Sequence, residues 1–341
     1  MDIEDHQALV RYLRETGRLP EGESPRVRTL SGGVSNRVVL LEQSSGEAWV
    51  LKQALAKLRV PVDWFSDPGR IHREAEAMRW LKRLAPAGAI PNLIFEDAAH
   101  HLLAMEAVPQ PHQNWKTMLL AGELEAGHVE RFAELLALVH RRAWERKQEL
   151  EPIFADRSFF ESLRVEPYYV YTATQVPDAA RFLGSLVEHT RGQRNTLVHG
   201  DYSPKNILVC PGRLVLLDHE VVHFGDGAFD LGFALTHLLS KAHHVVSRRD
   251  AFADAAARFW RKYREGLGKT EWNLGLEQAA VAHTLGCLLA RVAGRSPLEY
   301  LDDAERARQR AAVVSLMRIP PRSPDELIEG FVARIEGAKR V

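Results

Sequence analysis

The sequence predicts an α+β protein of two lobes, a small β-rich N-terminal lobe with one main helix and a larger, mostly helical C-terminal lobe. Short apolar runs separated by glycine- and serine-containing turns dominate the first third of the chain, whereas apolar residues at helical spacing dominate the rest. A connection marked by Pro109 and Pro111 separates the two regions. We therefore predict an N-terminal lobe over residues 1–107 and a C-terminal lobe over residues 108–341.

The elements of the N-terminal lobe follow from local patterns. Residues 3–16 have the apolar spacing of a short amphipathic helix, and Gly17 follows as a stop signal. A second, longer helix is predicted over residues 71–84. The predicted strands cover residues 27–30, 38–41, 49–51, 93–95 and 102–105.

The C-terminal lobe reads as a series of helices that is interrupted by two short strands. The strands lead into Asp201 and end at Asp218. The predicted helices cover residues 129–144, 179–189, 231–239, 251–263, 275–293 and 303–317.

Length and charge restrict the possible partners. A chain of 341 residues can bury a sizeable core, and 45% apolar with 26% charged residues is ordinary for a soluble globular protein. Lys and Arg together number 45, as do Asp and Glu. This balance does not support nucleic acid or a membrane surface as the main partner. We expect a monomer or a homodimer.

The cysteines and the N-terminus indicate a cytoplasmic protein. Cys210 and Cys287 are far apart and flanked by apolar residues, so free buried thiols are expected rather than a disulfide. The first six residues are acidic and lack the apolar core of a signal peptide. No apolar run is long enough to span a bilayer.

The segment around Asp201 is the most informative part of the sequence. An apolar pair leads into Asp201, a short polar loop follows, and Asn206 then precedes another apolar run. A further apolar strand ends at Asp218. Phosphoryl transfer from ATP uses such a set, in which one Asp accepts the proton of the attacking hydroxyl while the Asn and the second Asp hold magnesium. We predict Asp201 as the base and Asn206 and Asp218 as metal ligands.

A polar loop between the first two strands is the candidate phosphate-binding loop. Glycines let the backbone approach phosphates closely and present N–H groups to them. Taken alone, the loop favours a plain hairpin turn, and the rest of the chain supports the phosphate-binding interpretation. Its candidate nucleotide-binding residues are Ser31, Gly32, Gly33, Ser35 and Asn36.

Lys52 and Glu74 are the candidate phosphate-contacting pair. Lys52 ends the third strand, where a kinase lysine contacts the α- and β-phosphates and pairs with a Glu on the following helix. Glu74 is preferred to Glu76, which lies two positions away and therefore on a different helix face. The alternative is a solvated Lys and a surface acid, but the order strand, Lys, helix, Glu favours the functional interpretation.

These motifs resemble the aminoglycoside phosphotransferase and choline kinase superfamily, small-molecule kinases with a protein-kinase-like fold. The resemblance covers residues 31–239 and implies ATP and magnesium as cofactors, with the roles given above for Asp201, Asn206, Asp218, Lys52 and Glu74. The spacing of Asp218 and Glu220 is also similar to the methylthioribose kinase branch, whereas the glycine loop resembles choline and thiamine kinases. The acceptor therefore stays open.

Departures from protein kinases disfavour a peptide substrate. Gly200 stands where regulated protein kinases usually have an Arg, and only a short segment separates Asp218 from Asp230. We predict a phosphotransferase that acts on a hydroxyl of a small metabolite such as a sugar or an amino alcohol. The alternatives are an aminoglycoside-type antibiotic kinase and a nucleotide-binding pseudokinase scaffold.

Several residues keep two interpretations. Asp230 is expected to be a helix N-cap, with a compatible role in holding the catalytic loop. Glu220 could bind metal or substrate, or be structural. The aromatic residues within 166–171 are placed in a loop-like region, and core packing is favoured over substrate stacking. Arg291 or Arg295 could bind an anionic group of the acceptor, against the alternative of charge complementarity at a helix end.

Overall fold

The computed structural model describes residues 1–30, 33–60, 63–269, 272 and 274–337. A region of antiparallel sheet comes first along the chain and a larger, mostly helical region follows, so the predicted fold class is confirmed. The strands are β1 Arg26–Thr29, β2 Asn36–Glu42, β3 Ala48–Ala54, β4 Leu93–Asp97, β5 Leu102–Glu106, β6 Gln113–Asn114, β7 Thr196–Val198, β8 Ile207–Cys210, β9 Arg213–Leu216 and β10 His223–Gly225.

The ends of the predicted helices differ from the observed ones by a few residues. They are α1 His6–Glu15, α2 Arg70–Leu84, α3 Trp115–Leu120, α4 Ala126–Glu145, α5 Lys147–Ile153, α6 Ser158–Phe160, α7 Tyr171–Gln175, α8 Ala180–Gly192, α9 Ala228–His244, α10 Arg249–Leu267, α11 Leu276–Ala293, α12 Asp303–Arg318 and α13 Pro324–Gly337. Helices α1 and α11 are shorter than the segments predicted for them. A π-helix, Glu161–Val170, joins α6 to α7. The predicted division at residues 107 and 108 remains a prediction.

The N-terminal sheet has the strand order β1-β2-β3-β5-β4 and is antiparallel throughout. Alternate residues face opposite sides of a sheet. Leu51 accordingly belongs to the apolar cluster that includes α1, whereas Leu103 and Met105 pack in the cluster that includes α2. Lys52 follows Leu51 and pairs in register with Leu103. This parity directs Lys52 to the α2 side of the sheet.

Helix α2 carries a charged residue on its buried face. Ile71, Ala75 and Met78 lie on that face and are almost completely buried, as the apolar spacing predicts. Glu74 lies among them and has no exposed surface. A carboxylate in this position requires a charged or hydrogen-bonding partner, because burying an unpaired charge is costly.

The C-terminal region is built around α9, whose residues are buried along almost its whole length. Helices α4, α10 and α11 pack beside it and contribute to one large apolar core. Two small antiparallel sheets, β7 with β10 and β6 with β8 and β9, lie at the start of this region. Their connecting loops carry Asp201, Asn206 and Asp218.

Three features differ from the sequence predictions. The aromatic segment is not a loop, because Tyr168 and Tyr169 lie in the π-helix and are buried in the core. Helices α3 and α5 are too short to give a periodic signal. Helix α13 was not predicted, although the spacing of Leu327, Phe331 and Ile335 places these buried residues on one face.

Two simpler expectations can be compared directly with the structure. Cys210 and Cys287 are both free and buried. Within the described residues, no helix combines the length and the apolar character that a membrane crossing requires.

Candidate active site

The hairpin of β8 and β9 brings Asn206 close to Asp218. Ile207 pairs with Leu216, and the Leu217 backbone N–H donates to the Asn206 carbonyl at 2.9 Å, directly before Asp218. The side-chain amide of Asn206 donates to the Asp201 carbonyl at 2.9 Å. This bond uses the amide nitrogen, so the amide oxygen is the atom available to a cation.

The turn at Gly200 has no room for a side chain. Its φ is +76°, in the left-handed region that favours glycine. A Cβ there would lie 2.8 Å from the Val221 Cγ2 atom and 3.2 Å from the Val221 carbonyl oxygen. The glycine at the position of the protein-kinase arginine is therefore a requirement of this backbone.

The Asp230 carboxylate holds the same turn in place through hydrogen bonds. Its carboxylate accepts hydrogen bonds from the backbone N–H of His199 at 2.6 Å and of Gly200 at 2.8 Å. The prediction of an N-cap is wrong, because α9 begins at Ala228 and Gly227 is its N-cap. The carboxylate instead bonds to the catalytic loop, which was the compatible second role.

Asp201 is buried beside an arginine that the sequence did not single out. Its side chain is 9% exposed, and its Oδ2 atom lies 3.1 Å from the Arg164 Nη2 atom. Burial raises the pKa of Asp201, but the charges of Arg164 and then Lys205 outweigh burial and hold the pKa below its ordinary value. Asp201 is therefore ionised at neutral pH, as a proton acceptor must be.

His199 supports the loop rather than reacting. Its Nδ1 atom accepts the Asp201 backbone N–H at 3.2 Å, and its Nε2 atom lies 3.1 Å from the Nδ1 atom of His219. Burial lowers the pKa of both imidazoles, so both rings are neutral at physiological pH.

Lys52 lies between two carboxylates from different parts of the chain. Its Nζ atom is 2.7 Å from the Glu74 Oε1 atom and 2.7 Å from the Asp218 Oδ1 atom. Burial lowers the pKa of Lys52, but Asp218 and then Glu74 more than offset it and raise the pKa above its ordinary value. The ammonium is thus permanently charged. Glu76 instead bonds to Arg79 and Trp80, which agrees with the preference for Glu74.

Asp218 has a strained backbone and a stabilised charge. Its φ of +67° is uncommon for a residue other than glycine and costs about 1–3 kcal/mol where the surroundings impose it. Burial raises its pKa, but Lys52 and then Lys205 hold the pKa well below its ordinary value. A strained backbone and a stabilised charge are both typical of a residue whose carboxylate has to be held in one fixed position.

A group of acidic side chains around Asp218 is suited to a divalent cation. One carboxylate oxygen from each of Glu74, Asp218 and Glu220 lies within 4.8 Å of the others. Hard divalent cations prefer such oxygen ligands. Burial raises the pKa of Glu74, opposed by Lys52, so added positive charge at this position would be stabilising.

Glu220 also connects the site to the glycine-containing loop. Its Oε2 atom accepts from the Asn36 amide at 3.0 Å and from the Arg70 Nε atom at 3.1 Å. Arg70 has no exposed surface, and it donates further to the backbone carbonyls of Ser35 and Leu55. Among the described residues, these bonds use only Oε2 of Glu220 and leave its Oε1 atom available to a ligand.

The structure describes only some of the residues that were predicted to form the phosphate-binding loop. Ser31 and Gly32 lie outside the described residues. Gly33 and Ser35 lie between β1 and β2, and Asn36 begins β2. The Asn36 amide bonds to Glu220, so its expected contact with nucleotide remains a prediction.

Arg70 and Arg164 are the site residues that sequence reasoning missed. Arg70 precedes the apolar stripe of α2, and Arg164 stands between the buried residues Leu163 and Val165. An arginine at a buried position is a signal in itself, because arginine is almost never fully buried without a partner. The acidic partner of each of these two arginines, however, lies far away in sequence.

Comparisons with known proteins agree with this geometry. The sequence profile described as "Phosphotransferase enzyme family" matches residues 26–272. Methylthioribose kinase 2 of Oryza sativa subsp. japonica is 24% identical over 303 residues, which cover 79% of this chain and 70% of that protein.

Two solved structures share the fold. A choline/ethanolamine kinase family protein from Mesorhizobium loti has a TM-score of 0.57 at 16% identity, covering 96% of this chain and 99% of its own. Amicoumacin kinase in complex with AMP-PNP and Ca²⁺ has a TM-score of 0.56 at 14% identity, covering 94% and 98%.

Proposed function

We propose that this chain, which belongs to the phosphotransferase enzyme family and is a small-molecule kinase, transfers the γ-phosphoryl group of ATP to a hydroxyl of a small metabolite such as a sugar or an amino alcohol. The observation that carries the proposal is the position of Lys52, 2.7 Å from both Glu74 and Asp218. A permanently charged ammonium held in this way is suited to the phosphates of a nucleotide.

The residues present fit a magnesium-bound nucleotide. Asn206, Asp218 and Glu220 would hold Mg²⁺, since their oxygen atoms are the ligands this ion prefers. Lys52 and the loop that includes Gly33 would hold the phosphates. The bound ion supplies the positive charge that neutralises the transferring phosphoryl group.

Asp201 would act as the base for the acceptor hydroxyl. Arg164 contacts only its Oδ2 atom, so Oδ1 is the oxygen proposed to accept the proton. Arg164 also donates to the Gly200 carbonyl at 2.6 Å and so fixes the carboxylate relative to its own loop. Catalysis in this arrangement depends mainly on positioning and on fixed charge.

The remaining alternatives receive less support. A pseudokinase scaffold would not need a charged Lys52 together with ionised Asp201 and Asp218, and this chain retains these side chains in their charged forms. An aminoglycoside-type kinase shares the chemistry, but its polycationic acceptor calls for an acidic pocket. We further propose that the protein is cytoplasmic, as a monomer or a homodimer.

Binding of MgATP tests the proposed function. Titration of MgATP should raise the melting temperature, because a ligand at 100 times its dissociation constant stabilises the native state by about 2.7 kcal/mol. Lys52→Met should abolish most of this shift. The matched control is Lys57→Met, since Lys57 is exposed and its ion pair among the described residues is with the exposed Asp63. No shift in the wild-type protein at millimolar MgATP would contradict the nucleotide assignment.

A further inference from the structure

A second arginine near the catalytic loop has no acidic partner. Arg291 lies in the last turn of α11, is 9% exposed, and forms no ion pair within the described part of the chain. Its Nη1 atom donates to the Ser296 carbonyl at 2.9 Å and to the Ser296 hydroxyl at 3.1 Å. Its Nε atom is buried and has no partner among the described residues. The guanidinium therefore retains unused donor capacity.

Arg291 lies on the same aromatic surface as the arginine that contacts the base. Its guanidinium carbon is 5.0 Å from the Tyr168 ring centroid and 5.2 Å from that of Phe233. The Arg164 guanidinium carbon is 5.8 Å from each of the same two rings. Arg164 in turn contacts Asp201. Arg291 therefore shares its two ring contacts with the arginine that binds Asp201.

Lys241 is a second buried basic residue that forms no ion pair among the described residues. Phe233, His237 and Lys241 are four residues apart along α9 and therefore share one helix face. The Lys241 Nζ atom has no exposed surface and donates only to the His237 carbonyl at 3.2 Å among the described residues. Burial and then the charge of Lys116 lower the pKa of Lys241 to about 7.

The pKa of His237 indicates an excess of positive charge around its ring. Its Nε2 atom lies 3.4 Å from the Arg291 Nη2 atom. Burial lowers its pKa, and Arg291, Lys241, Lys116 and Lys205 lower it further. The nearby acid Glu299 forms an ion pair with Lys116. Its charge raises the pKa of Lys241, but burial and Lys116 outweigh it.

We propose that the acceptor carries an oxyanion, either a carboxylate or a phosphate, which Arg291 binds while the acceptor hydroxyl faces Asp201. Lys241 strengthens this binding through its charge when it is protonated. The inference rests on the proposed function and specifies its substrate class. It excludes a simple amino alcohol from the acceptors proposed above, because Arg291 and Lys241 would repel its positive charge.

Arg295 offers a matched comparison on the same segment. Charge complementarity at a helix end could explain either arginine. Arg295, however, is neutralised by Glu166 at 3.1 Å and stacks on the Tyr171 ring at 4.4 Å. A helix-end role alone predicts similar behaviour for the two arginines, whereas the oxyanion site predicts an effect only at Arg291.

Binding of simple anions tests the site without knowledge of the acceptor. Inorganic phosphate and acetate are titrated in thermal-shift assays with saturating Mg·AMP-PNP, which occupies the nucleotide site. At least one anion should raise the melting temperature of the wild type. Arg291→Gln should weaken its apparent affinity by about 10–100-fold, the loss expected for a charged hydrogen bond, and Arg291→Lys by less. Arg295→Gln should bind as the wild type does.

Lys241→Met separates a binding role from a structural one. Methionine has a similar length without the buried charge, so the variant should melt at a higher temperature than the wild type while binding the anion more weakly. A purely structural lysine predicts a lower melting temperature. If neither anion binds, or if Arg291→Gln binds as tightly as the wild type, the oxyanion site is wrong.

Turnover then distinguishes the source of the oxyanion. ADP release is measured with glycerol, glycerate, glycerol 3-phosphate and choline as acceptors. Higher kcat/KM for glycerate or for glycerol 3-phosphate than for glycerol supports the site and identifies a carboxylate or a phosphate. Preference for choline or glycerol contradicts it. MgATP binding without anion binding overturns this inference alone, whereas loss of MgATP binding overturns the proposed function.

Discussion

Removing the Asp230 carboxylate should destabilise the protein and disable its catalytic loop. Asp230 has no exposed surface and accepts from the backbone N–H groups of His199 and Gly200 at 2.6 and 2.8 Å. Hydrogen bonds to a charged group are each worth about 1.5–3 kcal/mol. Asp230→Ala should therefore lower the free energy of unfolding by about 3–6 kcal/mol, because both donors remain buried without an acceptor.

This loss converts into a measurable melting shift. An unfolding entropy of about 2.1 cal/mol/K per residue gives roughly 0.7 kcal/mol/K for the chain, so the melting temperature should fall by about 4–8 °C. Asp230→Asn should lose about half as much, since its amide oxygen can accept one of the two bonds.

The assay is differential scanning fluorimetry of the purified protein, with circular dichroism as a check on folding. Asp254→Ala is the control, because Asp254 is an exposed residue of α10 and such surface changes stay within about 0.5 kcal/mol. If Asp230→Ala melts within 1 °C of the wild type, the anchoring role of this carboxylate is refuted.

Three further changes address individual parts of the site. Glu74→Gln should raise the KM for MgATP by about 10-fold or more, because Lys52 loses a charged partner. The control, Glu76→Gln on the same helix, should leave this KM unchanged. Equal KM values for the two variants in a steady-state assay would count against the pairing of Lys52 with Glu74. Arg164→Met should move the acid limb of the kcat/KM–pH profile to higher pH, since Arg164 lowers the Asp201 pKa and only the ionised base is active. An acid limb at the wild-type pH would argue against the effect of Arg164 on Asp201. Asp218→Asn should raise the magnesium concentration needed for half-maximal nucleotide binding by about 10-fold or more, and an unchanged requirement in a fluorescence titration would remove Asp218 as a metal ligand.

Local sequence patterns were sufficient to predict most elements of the fold. The apolar spacing of α2 indicates which side of the helix is buried, and the order of strand, Lys, helix and Glu in kinases predicted that Lys52 pairs with Glu74. The order of Asp201, Asn206 and Asp218 predicted their proximity through the same kinase pattern. These predictions needed the kinase motif as well as the periodicity of helices and strands.

The parts that sequence did not predict depend on contacts between distant residues. Arg70 meets Glu220 across 150 positions, and Arg164 meets Asp201 across 37. Such pairs depend on how elements that are distant in the sequence pack together, and the local spacing of apolar residues carries no information about that. The same reason explains why Arg291 and Arg295 could not be distinguished from sequence, since only the structure shows that Glu166 neutralises Arg295.

The most direct test of the central claim is the turnover of Asp201→Asn. The substitution keeps the size of the side chain but removes its capacity to accept a proton, and a positioned general base is worth about 10²–10⁴ in rate. With an acceptor from the panel above, transfer of the γ-phosphoryl group should fall by about that factor, while MgATP binding, measured by calorimetry, should change little. Near wild-type turnover in Asp201→Asn would contradict the assignment of Asp201 as the base and with it the proposed mechanism.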